Sequence, residues 1–115
     1  MSEFIEHLKE VFIDFGLIHT RKMFGGYGIY HRSVMFGLVA NETLYLKVNA
    51  ELIKKFEDKG LRPFEYQKGH KVVKMSYYMS PAEIFDDPEE AALWATRSYE
   101  AALQAQTKSK ANKNT

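Results

Sequence analysis

Apolar positions follow two periods along this chain, and the switch between them outlines the fold. From Glu3 to Phe15 the residues Phe4, Ile5, Leu8, Val11, Phe12 and Phe15 recur at helical spacing, while Glu6, Lys9, Glu10 and Asp14 fall on the opposite face. This predicts a first helix over 3–15, capped by Ser2 and stopped at Gly16-Leu17. The stretch Arg21 to Val48, RKMFGGYGIYHRSVMFGLVANETLYLKV, then takes strand spacing. Its apolar sets are Met23, Phe24, Tyr27, Ile29 and Tyr30, then Val34, Phe36 and Leu38, then Leu44, Leu46 and Val48. Breaks at His31-Arg32-Ser33 and at Asn41-Glu42 suit tight hairpin turns, so the stretch reads as an antiparallel meander of three strands.

Asn49 is placed to cap a second helix, Ala50 to Lys59, with Leu52, Ile53 and Phe56 as its apolar stripe and Gly60-Leu61 as its end. Pro63 prevents its restart. Strands at about 64–68 and 71–78 follow, divided by Gly69-His70, with Val73, Met75 and Tyr77 read as the inner set and Val72 and Lys74 as the outer one. Two capping boxes come next. Ser80-Pro81-Ala82-Glu83 opens a short turn through Phe85. Asp87-Pro88-Glu89-Glu90 opens a helix to about Ala105, with Ala91, Trp94, Ala95, Ser98 and Ala102 inward. The expected architecture is a two-layer α+β domain over residues 1–106: an N-terminal helix, a five-stranded, mainly antiparallel sheet with a helix between strands 3 and 4, and C-terminal helices. Residues 107–115, TKSKANKNT, read as a disordered polar tail.

The 115 residues suffice for one core, and 45% hydrophobic residues exclude disorder for the body of the chain. No cysteine is present, which removes disulfides and thiolate metal sites. The opening residues contain acids and no long apolar run, so neither a signal peptide nor a membrane span is expected, and the protein reads as soluble and cytoplasmic. The net charge of +1 conceals an uneven distribution. Residues 21–74 carry eleven Lys/Arg against five acids, whereas residues 75–106 carry one Arg against six acids. The expected sheet is basic and the flanking helices acidic.

Candidate chemistry is sparse. Gly25-Gly26-Tyr27-Gly28 fits no phosphate loop, because His31 stands where a third glycine is needed and a strand continues where a helix should open. A bulge, a bend or close packing against the backbone accounts for these glycines instead. His7, His19, His31 and His70 lie in unlike elements without metal-pair spacing. No nucleophile motif occurs, and the capping role accounts for Asp86, Asp87, Glu89 and Glu90. Nothing here argues for an enzyme, a metal or another cofactor. The remaining signal is cations beside rings. With Leu44, Leu46 and Val48 inside, alternation puts Tyr45 and Lys47 outside, near Lys74, with Arg21, Lys22, Tyr27 and Arg32 around the glycine segment. These seven residues are the candidate partner-binding surface on the uncovered side of the sheet. Such a surface suits a protein partner, single-stranded nucleic acid or a second copy of the chain. Residues 1–106 sum to −2, which weighs against strong nonspecific DNA binding. A small-molecule sensor with a pocket beside the glycines is a third possibility.

RKMFGGYGIY at 21–30, VMFGLVANETLYLKV at 34–48, Pro63-Phe64, Met75-Ser76-Tyr77-Tyr78 and the Asp86-Asp87-Pro88 opening of the helix holding Trp94-Ala95 together resemble the N-terminal domain of the TfoX/Sxy family, over roughly Phe4 to Leu103. The resemblance implies an α+β domain of the secretion-chaperone-like kind. It also implies a non-enzymatic role in bacterial regulation of competence (DNA uptake) genes, as a coactivator beside the cyclic-AMP receptor protein. Longer members continue into a helical domain resembling helix-hairpin-helix modules, so this chain reads as a single-domain member or as one lacking that second domain. No catalytic residue carries over.

Overall fold

A computed structural model describes residues 3–23 and 25–113, with side chains described as far as Thr107. The expected caps and core positions at Ser2 and Phe24 lie outside the described residues. The element order is α1 (Glu3–Val11), β1 (His19–Met23), β2 (Gly26–His31), β3 (Val34–Ala40), β4 (Thr43–Lys47), α2 (Ala50–Glu57), β5 (Pro63–Lys68), β6 (Lys71–Met79), a 3-10 turn (Ala82–Phe85) and α3 (Pro88–Lys113). One antiparallel sheet runs β1-β2-β3-β4-β6-β5. It has six strands rather than the expected five. The segment around 21–30 that reads as one strand is a hairpin, because Gly25 turns the chain at φ 77° and lets β1 fold back on β2. The glycine cluster is thus a turn with its returning strand.

The other two turns of the meander lie where polar breaks put them. Arg32 and Ser33 (φ 49° and 67°) and Asn41 and Glu42 (φ 51° and 54°) hold the paired left-handed conformation of two-residue hairpins. A bulge follows in β3. Ile29 pairs with Gly37 but Tyr30 pairs with Met35, so Phe36 is the extra residue. The bulge changes which residues face the helices. Val34, Phe36 and Val39 join the core, while Leu38 leaves the set with which its spacing grouped it.

All the helices pack on one side. Ile5, Leu8 and Phe12 meet Ile29, Phe36, Leu44 and Leu46 of the sheet, Phe56 of α2, and Trp94 and Ala95 of α3 in one cluster. Edge-on ring contacts join Phe12 to Phe36 at 5.7 Å and Phe56 to Trp94 at 5.0 Å. The five residues expected on the inner face of α3 are all buried. Helix limits differ from those expected. α1 gives way after Val11 to tight turns, in which Ile13 bonds back to Glu10 and Phe15 to Phe12, and these keep Phe12 and Phe15 against the core. α2 begins as expected, with Asn49 Oδ1 accepting from the Leu52 amide at 2.9 Å. It closes with Gly60 (φ 75°) as Gly60 and Leu61 donate to the Glu57 and Phe56 carbonyls.

The box expected at Ser80 does not form. Pro81 stands at that cap without a side-chain bond, and Glu83 instead takes Lys59 at 2.7 Å. That pairing holds the Glu83 carboxyl below its ordinary range. Asp87 does cap α3, accepting from Glu89 and Glu90. The helix then continues through the polar segment to Lys113, beyond the end expected near Ala105. Among the described residues no helix is long and apolar enough to cross a membrane.

Candidate interaction surface

Strand alternation and the register define the side of the sheet that the helices leave uncovered. One row of cross-strand neighbours on that side is Arg21, Gly28, Leu38, Tyr45 and Met79. The next rows, Tyr27-Val39-Leu44 and Ile29-Gly37-Leu46-Tyr78, face the helices. The bulge at Phe36 brings Met35 back beside Gly28. A Cβ on Gly28 would stand 2.8 Å from the Met23 methyl, 2.9 Å from the Tyr30 ring and 3.2 Å from the Met35 sulfur. The missing side chain is what lets three large groups converge there.

The opposite wall comes from β5 and β6. Phe64 meets Tyr45 edge-on at 5.0 Å and stacks with Tyr66 at 6.3 Å. Between the two walls lies a hollow of about 240 Å³, lined chiefly by Met23, Met35, Leu38, Phe64, Met75 and Tyr77. Its surface is almost wholly apolar, although it faces away from the core. Tyr66, Met75 and Met79 are also among the exposed large apolar residues.

Two cations stand over rings on this side. The Arg21 guanidinium carbon lies 6.0 Å from the Tyr30 centroid. Lys47 Nζ lies 5.2 Å from the Tyr77 centroid and donates to Ser76 Oγ at 2.5 Å. Burial lowers the pKa of Lys47, since the charged ammonium is partly withdrawn from water. Burial, then the charge Tyr30 would carry, pushes the Tyr77 hydroxyl up to about 12.

Of the seven candidate residues, Arg21, Tyr45 and Lys47 come together here. Arg32 is exposed in the β2–β3 turn. The other three point the other way. Tyr27 packs against the helix-side core while also bordering the hollow, and Lys22 is its cross-strand neighbour. Lys74 pairs with Glu65, while Tyr66, on the uncovered side, pairs with Val73. Lys47 and Lys74 therefore project to opposite sides of the sheet, because β6 enters with Tyr78 inward and with Val73, Met75 and Tyr77 outward, the reverse of the expected alternation. The hollow's Met23, Met35, Leu38, Phe64, Met75 and Tyr77 were not among the candidates. Their signal was the runs Val34–Ala40 and Tyr77-Tyr78, where apolar residues sit at consecutive positions and so on both sides of a strand.

The other sites carry structure. His31 Nδ1 lies 2.7 Å from the Leu17 carbonyl oxygen, and its ring packs between Phe15 and Tyr99 at 4.6 and 5.0 Å. Among the described residues no group of three or more His, Cys, Asp or Glu side chains is placed to hold a metal ion.

A family model described as the TfoX N-terminal domain matches residues 10–102. No curated protein matches the chain.

Proposed function

The chain belongs to the TfoX N-terminal domain family, a family related to competence regulation, and on that premise we propose that it is a non-enzymatic regulatory domain that docks a protein partner on the uncovered side of its sheet. By family relationship that partner is a transcription factor such as the cyclic-AMP receptor protein, and the chain acts beside it as a coactivator of genes for DNA uptake. The observation that supports the reading is the hollow itself. An apolar depression walled by Met23, Met35, Phe64, Met75 and Tyr77 lies on the side of the sheet opposite the helix-side core. Thioethers and rings make an adaptable, large-area contact, and Arg21 and Lys47 at its margins supply orientation.

The sidedness supplies the test. Phe64→Glu should weaken binding to the purified receptor protein at least tenfold, about 1.4 kcal/mol, while the melting temperature shifts by only about 4 °C or less. Lys74→Glu, on the other side, should leave binding unchanged. Equal binding by Phe64→Glu, or a loss with Lys74→Glu alone, would remove the docking surface. The alternative of direct nucleic-acid binding draws on Arg21 and Lys47 among Tyr30, Tyr45 and Tyr77, but Lys22 and Lys74 on the far side leave it with fewer phosphate partners. It requires an affinity for DNA that falls steeply with salt, and no binding at low salt would exclude it.

A further inference from the structure

The methionines of this chain are segregated. All four among the described residues belong to the uncovered side: Met23 and Met35 converge over Gly28, Met75 lines the hollow, and Met79 stands opposite Tyr45. Among the described residues the helix-side core is built from Ile, Leu, Val, Phe, Tyr, Ala and Trp and holds no methionine. Methionine fills gaps in any core, so gap filling by itself does not confine it to one side. Exposure also divides the group. Met75 and Met79 are 36% and 38% exposed, whereas Met23 and Met35 are half-buried.

A thioether is an apolar side chain that a single two-electron oxidation makes polar, and enzymes exist that reverse the change. We propose that Met75 and Met79 form a peroxide-sensitive modification site whose oxidation closes the uncovered side to its partner. This rests on the reading of that side as a docking surface. In the step, a sulfur lone pair attacks one oxygen of hydrogen peroxide and the O–O bond breaks. Sulfur loses two electrons to become the sulfoxide, and the second oxygen leaves as water with both protons. On Met75 the new S–O dipole stands in a wall shared with Phe64 and Tyr77, and on Met79 it stands opposite Tyr45. An apolar partner seated on that side would strip it of water without replacing the lost hydrogen bonds. Because the helix-side core has no thioether among the described residues, oxidation at Met75 and Met79 alters the docking face and leaves that core unchanged.

The test treats the full chain with hydrogen peroxide, maps sulfoxides by peptide mass spectrometry, and measures affinity for the partner protein and melting temperature. Sulfoxides should form at Met75 and Met79 before Met23 and Met35, affinity should fall at least tenfold, and the melting temperature should move by less than about 4 °C. Treatment with methionine sulfoxide reductase should restore binding. In a Met75→Leu/Met79→Leu variant the affinity measured after peroxide should equal that variant's own affinity before it, and Met75→Gln/Met79→Gln should bind weakly without peroxide. Oxidation appearing first at Met23 or Met35, full affinity in the oxidised chain, or equal peroxide sensitivity in the leucine variant overturns the proposal. If the untreated chain does not bind the partner, the docking reading fails separately, and an anilinonaphthalene sulfonate dye becomes the probe. Dye fluorescence that falls on oxidation in the native chain and not in the leucine variant supports the site, and an equal response in both overturns it.

Discussion

Phe36 and Leu38 lie two positions apart on β3, yet the bulge between them sends one to each side of the sheet. Both are nearly inaccessible, at 0% and 8% exposure. Phe36 is enclosed by Phe12, Phe15 and the helix-side cluster. Leu38 lines an open hollow, beside thioethers and rings that meet no second layer among the described residues. Burial alone therefore does not distinguish a core position from a docking position here. What separates them is whether anything is packed on top.

That contrast can be broken most directly by truncation on each side. Phe36→Ala leaves a cavity in a closed cluster and should cost about 3–5 kcal/mol. Leu38→Ala loses the transfer term but enlarges a space that is already open, and should cost about 2 kcal/mol or less. Urea denaturation of the pair decides the matter, and equal losses would mean that the uncovered side is packed as a core.

A smaller effect is expected from two glycines of β2. A Cβ on Gly26 would run into the Val39 carbonyl oxygen, which is backbone and cannot step aside. Gly26→Ala should therefore cost about 1–3 kcal/mol. A Cβ on Gly28 meets the flexible ends of Met23 and Met35 and the edge of Tyr30. Gly28→Ala should cost less than about 1 kcal/mol, yet it should reshape the hollow and weaken partner binding. A Gly28→Ala variant less stable than Gly26→Ala would contradict the flexibility assigned to that wall.

The smallest effect concerns pH. Tyr77 ionises near 12 in the folded chain and near its ordinary value of 10.0 when unfolded. Its neutral hydroxyl thus contributes stability that is complete below about pH 10 and disappears as pH rises towards about 12. Tyr77→Phe should flatten the fall of melting temperature across that interval. Lys47, whose pKa is lowered by burial, acts in the opposite sense, because losing its charge at high pH relieves a cost of folding. Lys47→Met should accordingly steepen the same decline. An unchanged slope in Tyr77→Phe would show that the hydroxyl is as hydrated as in the unfolded chain.

The presence of the three helices and the two polar hairpin turns was legible because their causes are local. Asn49 and Asp87 cap, Gly60 terminates, and Asn41-Glu42 turns, each within a few residues of its effect. The β1–β2 hairpin was harder to see. Gly25 is a turn only because β1 finds β2 as its partner, and Arg21 to Tyr30 alternates well enough to pass for one strand. The side on which each candidate residue lies was legible in part. Arg21, Tyr45 and Lys47 share a side through simple alternation within β1 and β4. Lys74 lies on the other side because the facing of β6 depends on its pairing with β4 and on an irregularity opposite β5.

By itself the sequence determined the α+β class, the family, the caps at Asn49 and Asp87, the two polar hairpin turns and the inner faces of α1 and α3. These follow from periodicity and from short-range hydrogen bonding, which act wherever the segment sits. The tertiary structure alone decided the number of strands, the facing of β6, and the meeting of Met23, Met35, Leu38, Phe64, Met75 and Tyr77 around one hollow. A strand with apolar residues on both sides carries no internal mark of which side is covered. Only the partners it acquires, and the helices that pack on one side of them, assign it.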